Sequence, residues 1–259
     1  MRFALVGDIH ATFAKADALV RRHVGPVDAI FSVGDAEPNR TATDSLGVGG
    51  PAKHRKVGDF PQYAAGHRTM SAPVHFIGGN HEPWPALDAQ GPGEWAPGFH
   101  FLGRSGVAQV AGLQVAFLSG IYSRHFSEPE EPPPITPERL KEYGYFTRPH
   151  VERLLDQAQG RRIDLLITHE WPSGLSYLHH GRIPVGRDDI RALTDLLAPQ
   201  VHVCGHMHAP FRERVGATQV ICLSQVLQGA DAVAALELAP DGTLAEVPLA
   251  GAGAAPVSR

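Results

Sequence analysis

Carboxylate, amide and imidazole side chains occur at five places in the sequence, each directly after a short apolar run. Imidazole nitrogen combined with carboxylate oxygen suits divalent Mn, Fe, Zn or Co, whereas Mg or Ca prefers oxygen ligands. The pattern therefore predicts a metal centre, with Mn as the favoured ion. Its candidate residues, in chain order, are Asp8 and His10; Asp35; Asn80 and His81; His169; and His206 with His208.

Taken singly, each of these residues also has a purely structural interpretation. A lone Asp or His after a strand is commonly a turn former or a helix cap, and Asn80 after two glycines suits a left-handed turn. The same arrangement repeated five times favours a metal site instead. Seven ligands, with His81 left over, exceed the needs of one ion and suit two ions that share an aspartate.

Hydrophobic periodicity predicts the elements that position these residues. Residues 2–6, 27–33 and 74–77 are apolar runs typical of buried strands. Between the first two runs, apolar residues recur at helical spacing from Phe13 to Val24. The order strand, helix, strand predicts a largely parallel sheet. Ligands of such sheets bind at the carboxyl ends of the strands, so the candidate residues are expected to meet there.

The rest of the chain continues this α/β pattern. We expect a hairpin at 107–118, a surface loop at 128–137, helices at 151–158 and 190–197, and strands at 163–168 and 201–204. Two or three further strands are expected within 211–238. The absence of repeats or a clear linker predicts one domain over residues 1–249, followed by a flexible tail at 250–259.

Composition excludes several classes of protein. With 23 Lys and Arg against 27 Asp and Glu, the net charge is −4, which disfavours a protein that grips long duplex DNA through its phosphates. No apolar run approaches a membrane span, and no signal-peptide pattern is visible, so a cytoplasmic location is expected. Cys204 and Cys222 lie in apolar runs and are expected to be small buried hydrophobes.

The five clusters resemble the motifs of the calcineurin-like metallophosphoesterases. Further segments, covering roughly the first 215 residues, resemble one branch, the RNA lariat-debranching enzymes. The segments are Gly25-Pro26-Val27-Asp28, 56–60 with Tyr63 and Gly66, 76–82, Trp95-Ala96-Pro97, 118–122 and His169-Glu170-Trp171-Pro172. The chain departs from the eukaryotic enzymes of that branch at Asp8, where they have Cys, and at Phe146, which replaces a His.

This resemblance implies a fold, a metal centre and a reaction. The fold is an αββα sandwich of two mixed sheets flanked by helices, in a single domain with loop insertions. One ion is held by Asp8, His10 and His208, the other by Asn80, His169 and His206, with Asp35 bridging. A hydroxide shared by the ions attacks phosphorus, and His81 protonates the leaving oxygen.

Around these residues the sequence suggests less specific roles. Glu82, beside His81, is a candidate for orienting His81 or for contacting a group that supports the ligands. Glu170, beside His169, is likewise a candidate for supporting the ligands. The charge run at 53–56 is either a solvated loop or a phosphate clamp, and the aromatic residues of the second insertion either stack on a base or pack in the core. The candidate substrate-binding residues are Lys53, Arg55, Tyr122, Tyr145 and Arg148.

We therefore expect a dinuclear metal-dependent phosphodiesterase acting on a nucleotide or short RNA-like substrate. A phosphomonoesterase acting on a small phosphorylated metabolite is the alternative, because the same metal core serves both reactions. A scaffold that retains the fold without catalysis is a weaker alternative, since every motif position is filled. The sequence leaves the oligomeric state open between monomer and dimer.

Overall fold

The computed structural model describes residues 1–50 and 55–250. A seven-stranded sheet, here called sheet A, has the strand order β15-β14-β1-β2-β3-β5-β4. The pairs β1–β2, β2–β3 and β3–β5 are parallel, as the order of strands and helices predicts. Its strands are β1 (Arg2–Val6), β2 (Ala29–Ser32), β3 (Val74–Phe76), β4 (Gly93–Ala96), β5 (Phe99–Phe101), β14 (Val233–Leu238) and β15 (Leu244–Val247).

A six-stranded sheet, sheet B, has the order β12-β13-β11-β8-β7-β6. Its central pairs β7–β8, β8–β11 and β11–β13 are parallel, and the predicted hairpin is the antiparallel pair β6–β7. A separate two-stranded hairpin joins β9 (Leu178–His179) to β10 (Ile183–Pro184). The strands of sheet B are β6 (Ser105–Val110), β7 (Leu113–Leu118), β8 (Leu165–Thr168), β11 (Val201–Cys204), β12 (Phe211–Val215) and β13 (Thr218–Cys222).

Helices lie on the outer faces of the sheets. A π-helical turn (Val20–Val24) extends the first helix to Gly25, and 3₁₀ turns cover Leu140–Gly144 and Val226–Ala232. No helix among the described residues is both long and apolar enough to cross a bilayer. The α-helices are α1 (Phe13–Leu19), α2 (Ala42–Leu46), α3 (Phe60–Ala64), α4 (Trp84–Gln90), α5 (Arg124–Ser127), α6 (Arg148–Ala158) and α7 (Asp188–Leu197).

Alternation along the strands produces the layers. Phe3 and Leu5 of β1 pack against Phe117 and Ile167 of sheet B in the cluster between the sheets. The intervening residue Ala4 faces the opposite side, where α1 packs. On the outer face of sheet B, buried residues of β7 and β8 meet the apolar faces of α6 and α7. The protein is thus the expected αββα sandwich of two mixed sheets, each buried on both faces.

Two further expectations can be compared with these elements. Residues 128–137 contain no helix or strand, in agreement with the predicted loop. Cys204 and Cys222 are buried, free thiols on adjacent strands, as predicted. The proposed tail at 250–259 lies almost entirely outside the described residues, so the domain boundary stays a prediction.

Candidate metal centre

The candidate ligands follow five strands, three in sheet A and two in sheet B. Parallel strands within each sheet end at the same edge, and the packing of the two sheets brings these edges together. β1, β2 and β3 precede the ligands from sheet A, whereas β8 and β11 precede those from sheet B. Within the described part of the chain, two groups of three residues place ligand atoms within 4.8 Å of one another: Asp8, His10 and His208; and Asp35, His169 and His206.

In the first group, nitrogen and oxygen atoms face one another at short range. The Nε2 atoms of His10 and His208 are 3.2 Å apart, and Nε2 of His208 is 2.8 Å from Oδ2 of Asp8. The other ring nitrogen of His10, Nδ1, is hydrogen-bonded to Oε1 of Glu37 at 2.8 Å. The ligand-forming atoms of the first group therefore converge, and the ring nitrogen of His10 that is not among them is bonded to the Glu37 carboxylate.

The second group is more deeply buried. Nε2 of His169 lies 3.4 Å from Oδ2 of Asp35, and both side chains are almost fully buried. His169 donates from Nδ1 to the carbonyl oxygen of Val33 at 2.9 Å, which leaves Nε2 as the ligand atom. The other carboxylate oxygen of Asp35, Oδ1, accepts the backbone N–H of His81 at 2.7 Å.

The polar atoms at this edge fit divalent cations. Oδ1 of Asn80 is buried and has no hydrogen-bond partner among the described residues. Nε2 of His169 and Oδ2 of Asp8 are also buried, and they face the ligand atoms of Asp35 and His208, with which they form no well-aligned hydrogen bond. Buried polar atoms almost always have a partner, and those that lack one point to an ion or a water. Together with the mixed nitrogen and oxygen donor set, these orphaned atoms support two metal sites.

Two glycines allow the strands to approach this closely. A Cβ atom at Gly79 would overlap Oδ1 of Asp35 and lie 2.6 Å from Nε2 of His169. A Cβ atom at Gly205 would overlap Oδ1 of Asp8. Only glycine fits at these positions of the Gly-Asn-His and Gly-His-x-His motifs, because any side chain would collide with the neighbouring ligands.

Several site residues adopt left-handed backbone conformations that are uncommon without glycine. The φ angles are +47° at His10, +47° at Asp35, +51° at Glu37, +65° at His206 and +51° at His208. Each such residue is strained relative to a right-handed conformation. Strain of this kind persists where surrounding structure imposes it, and it concentrates at functional sites.

Electrostatics within the cluster favour charged forms of both acids and bases. Burial lowers the pKa of His169, but the carboxylates of Asp35 and Asp8 outweigh this effect and raise it to about 10. Burial also lowers the pKa of His10, while its bond to Glu37 and the charges of Asp35 and Asp8 raise it to about 9. Burial raises the pKa of Asp35, yet His169, His81 and His10 lower it well below its usual range. The carboxylates thus create a strongly cation-attracting centre.

Glu82 links the loops that carry the ligands. Its carboxylate accepts backbone N–H groups from Ala36 and Glu37, both at 2.9 Å, and from Gly79 at 3.2 Å. Burial, and then the negative charge of Asp35, raises the pKa of Glu82 to about 8. Glu82 therefore joins the segments after β2 and β3, and its role in supporting the ligands stays a prediction.

Glu170 occupies a different environment. Its carboxylate accepts the backbone N–H of Tyr122 at 2.7 Å and lies 3.5 Å from Nε of Arg187. These contacts tie the segment after β8 to the chain at Tyr122, away from the ring nitrogens of His169. Burial raises the pKa of Glu170. A role in supporting His169 stays a prediction.

A cavity of about 360 Å³ opens over the two groups. Its lining includes Asp35, Asn80, His81 and most of the histidine ligands, together with residues outside the motifs. The His81 ring lies beside that of His10, with 6.0 Å between ring centroids. The cavity therefore presents one further imidazole, Lys56 from the charge run at 53–56, and several residues that the sequence did not single out: Thr12, Glu37, Gln225 and Leu227.

The candidate substrate-binding residues are dispersed. Arg55 lies in the segment next to the cavity and donates from Nη2 to the carbonyl oxygen of Gly50 at 3.3 Å. Tyr122 donates its hydroxyl to Glu128 at 2.6 Å, and Tyr145 stacks on Phe126 with a centroid distance of 5.4 Å.

Arg148 forms ion pairs with Glu130 and Glu152 on the surface. Tyr122, Tyr145 and Arg148 do not line the cavity over the metal ligands, and Lys53 lies outside the described residues. A role of these side chains in substrate binding stays a prediction.

Sequence reasoning missed Glu37, although one signal was present. An acidic residue two positions after Asp35 could have been considered as a support for a ligand. Gln225 and Leu227 follow β13 in a segment without charged or imidazole side chains until Asp231, so nothing in their residue types indicated the site.

Comparisons with known proteins agree with this geometry. Residues 1–210 match the family model of the calcineurin-like phosphoesterases. A lariat debranching enzyme of Schizosaccharomyces pombe is 32% identical over 231 residues, which cover 82% of this chain and 49% of that protein. The human lariat debranching enzyme is 30% identical over 188 residues, covering 70% of this chain and 34% of that protein. The chain thus spans half or less of the length of these relatives.

A solved protein of Thermus thermophilus shares the fold, with a TM-score of 0.54 and 15% identity over 95% of this chain and 98% of that chain. The match to the family model covers most of the sequence and contains all the metal-binding motifs. The chain therefore belongs to the calcineurin-like phosphoesterase family, a family of metal-dependent phosphoester hydrolases.

Proposed function

We propose that this chain is a phosphodiesterase that uses two divalent cations to hydrolyse a nucleotide or short RNA-like phosphodiester. The observation that carries the proposal is the convergence of two ligand groups, with orphaned buried atoms, at the floor of one cavity. The relatives that are named lariat debranching enzymes favour a diester of RNA as the substrate class. We propose Mn²⁺ as the ion, because the donor set combines imidazole with carboxylate.

Each residue then has a defined task. Asp8, His10 and His208 would hold one ion, Asn80, His169 and His206 would hold the other, and Asp35 would be shared between them. When bound, such a pair of ions polarises the phosphoryl oxygens and makes water acidic enough to act as a nucleophile near neutral pH. The packing of sheet A on sheet B assembles each ligand group, and the pairing of neighbouring strands within the sheets places the two groups side by side.

His81 protonates the leaving oxygen in this proposal. Its backbone N–H donates to Oδ1 of Asp35 at 2.7 Å, so a member of the second ligand group fixes the backbone of His81. The ring lines the cavity, where a leaving group on a bound phosphodiester can reach it. A positioned general acid of this kind contributes about 10²- to 10⁴-fold in rate.

Lys56 supplies positive charge at the cavity wall. Its carbonyl oxygen accepts a hydrogen bond from Asn39 at 2.7 Å, and the following Gly58 packs against the backbone of Ala11. The backbone is therefore fixed against the loop that carries His10. An ammonium group in this position attracts the negatively charged phosphate of a bound substrate.

The test measures hydrolysis of bis-p-nitrophenyl phosphate and p-nitrophenyl phosphate by metal-stripped protein to which Mn²⁺ is returned. We expect metal-dependent cleavage of the diester, and then cleavage of 2′–5′-linked dinucleotides. Faster cleavage of the monoester would favour a phosphomonoesterase. No turnover of either ester, in protein shown to bind two ions, would favour a non-catalytic scaffold.

Two variants separate the roles. Asp35→Asn should abolish turnover and weaken metal binding. His81→Gln should leave metal binding unchanged and reduce cleavage of a dinucleotide by about 10²-fold or more, while cleavage of the nitrophenyl ester, whose leaving group needs no proton, falls much less. His180→Gln, an exposed histidine on the β9–β10 hairpin, is the matched control. Equal losses by His81→Gln on both esters would contradict the general-acid role.

A further inference from the structure

Glu37 lies beside the first ligand group but belongs to none of the metal-binding motifs. Its Oε1 atom is 2.8 Å from Nδ1 of His10. The opposite nitrogen of the same ring, Nε2, faces His208 at 3.2 Å. Nδ1 of His10 therefore contacts the Glu37 carboxylate, whereas Nε2 faces the other members of the first ligand group.

The backbone holds the Glu37 carboxylate in this position. The residue is buried, with 4% of its surface exposed, and its φ of +51° lies in the left-handed region. Its N–H donates to Oε2 of Glu82 at 2.9 Å, and its carbonyl oxygen accepts the N–H of Asn39 at 2.8 Å. Hydrogen bonds from both the N–H and the carbonyl group of Glu37 therefore fix its backbone, and this places the carboxylate next to His10.

Among the residues that the structure describes, the second ligand group has no equivalent carboxylate: none is hydrogen-bonded to Nδ1 of His169 or to either ring nitrogen of His206. Nδ1 of His169 is bonded instead to the carbonyl oxygen of Val33 at 2.9 Å, a neutral acceptor. A carboxylate that is hydrogen-bonded to Nδ1 of a histidine ligand fixes the proton on Nδ1, orients the ring and increases the basicity of Nε2, which binds the metal. A neutral carbonyl oxygen has a smaller effect on that basicity. The two groups are thus supported unequally.

We propose that Glu37 is a positioning residue for His10 and that it selectively strengthens metal binding by the group Asp8, His10 and His208. The inference rests on the metal centre of the proposed function and is independent of the substrate. It makes Glu37 a determinant of how the two sites differ in affinity. Loading of one ion before the other is a direct consequence.

The experiment is calorimetric titration of metal-stripped protein with Mn²⁺, without substrate. For the wild type we expect two binding events. Glu37→Gln should weaken one of them by about 10- to 100-fold and leave the other unchanged. Glu37→Asp, which keeps the charge but withdraws it by one methylene, should give a smaller loss and replaces Glu37→Gln if that variant fails to fold. Glu246→Gln, which removes an ion-paired carboxylate on β15, is the matched control.

A second readout reports directly on the ring. In Zn²⁺-loaded, ¹⁵N-histidine-labelled protein, we expect a protonated Nδ1 on His10, with its signal exchanging faster in Glu37→Gln. Two unchanged binding events in Glu37→Gln would overturn the inference, as would an equal loss at both sites accompanied by a lower urea midpoint. A wild type that binds no ions would instead contradict the proposed function.

Discussion

His150 illustrates how a single half-buried imidazole makes stability depend on pH. It occupies the third position of α6, where its Nδ1 accepts the backbone N–H of Thr147 at 3.1 Å and completes a reciprocal cap. An acceptor nitrogen has to be unprotonated. Burial, and then the charges of Arg104 and Arg153, lowers the pKa of His150 to about 4. The cap is thus intact only while the ring is neutral.

Because the pKa of His150 in the folded protein lies below the value of about 6.5 in an unfolded chain, the unfolded state binds more protons between these two pH values. The contribution of His150 to the free energy of unfolding is therefore present above about pH 6.5 and falls by about 1–2 kcal/mol at about pH 5. His150→Gln keeps a capping side chain without a titratable group.

We expect the wild type to lose more stability than His150→Gln between about pH 7.5 and pH 5. Urea unfolding in a metal chelator at the two pH values measures this, with His180→Gln as the control that should follow the wild type. Parallel losses in wild type and His150→Gln would show that another group is responsible.

At the scale of residues, the convergence of the candidate ligands was predictable because each follows an apolar run that ends a strand. Glu37 was not, since its contact with His10 depends on left-handed backbone at both residues, which no side-chain pattern encodes. The position of Lys56 on the cavity wall was hidden within a charge run that also suits a solvated loop. Residues that act through unusual backbone geometry therefore escape sequence analysis.

At the scale of elements, α1 depends on a residue from a distant part of the chain. Its own N-cap, Thr12, makes no side-chain capping bond. Instead, Asp59 accepts the N–H groups of Phe13 at 2.9 Å and Ala14 at 2.8 Å. The negative charge also lies at the positive end of the helix. The loop between His10 and α1 is thereby fixed by the segment that precedes α3.

Asp59→Ala should remove both bonds and lower the free energy of unfolding by about 1–2 kcal/mol. Asp59→Asn, which retains one acceptor oxygen, should lose less. Urea unfolding of metal-stripped protein provides the measurement, and Asp241→Ala, a change in an exposed turn, is the control. A midpoint equal to that of the wild type would mean that water replaces the cap at no cost.

Elements with local signals were predicted well. The hairpin β6–β7 has an Ala-Gly turn between two apolar runs, and β11 coincides with the predicted residues 201–204. β4 and β5 were not predicted, because Trp95 and Phe99 are separated by Pro97 and Gly98 in a segment without clear alternation. The cap of α1 by Asp59 was equally inaccessible, since it joins residues 46 and 45 positions apart.

At the scale of the whole molecule, both metal groups combine residues of the two sheets. Asp8 and His10 follow a strand of sheet A, whereas His208 follows a strand of sheet B; Asp35 likewise joins His169 and His206 across the sandwich. Sequence analysis placed the ligands at strand ends but could not assign the strands to two sheets. β14 pairs with β1, although the paired residues are more than 200 positions apart in the sequence. No local sequence pattern indicates this pairing.

Metal binding should stabilise the folded state as a whole. Ions that bind only the folded protein raise its free energy of unfolding by about 2.7 kcal/mol for each site at a free concentration of one hundred times the dissociation constant. Thermal unfolding with added Mn²⁺ and with chelator measures this increment. In Asp35→Asn most of it should be lost, and an undiminished increment in that variant would show that the ions bind elsewhere.

The division of each ligand group between sheets also has a mechanical consequence. A force that slides one sheet over the other would have to separate the ligand atoms of both groups at once, at one edge of the sandwich, whereas the rest of the interface is held by apolar side chains and by polar contacts such as those of Gln200 with Gly242 and Leu244. In a pulling experiment that shears the sheets, the metal-loaded protein should unfold at a higher force and in one abrupt step. The stripped protein should yield gradually, beginning at the edge where the ligands lie.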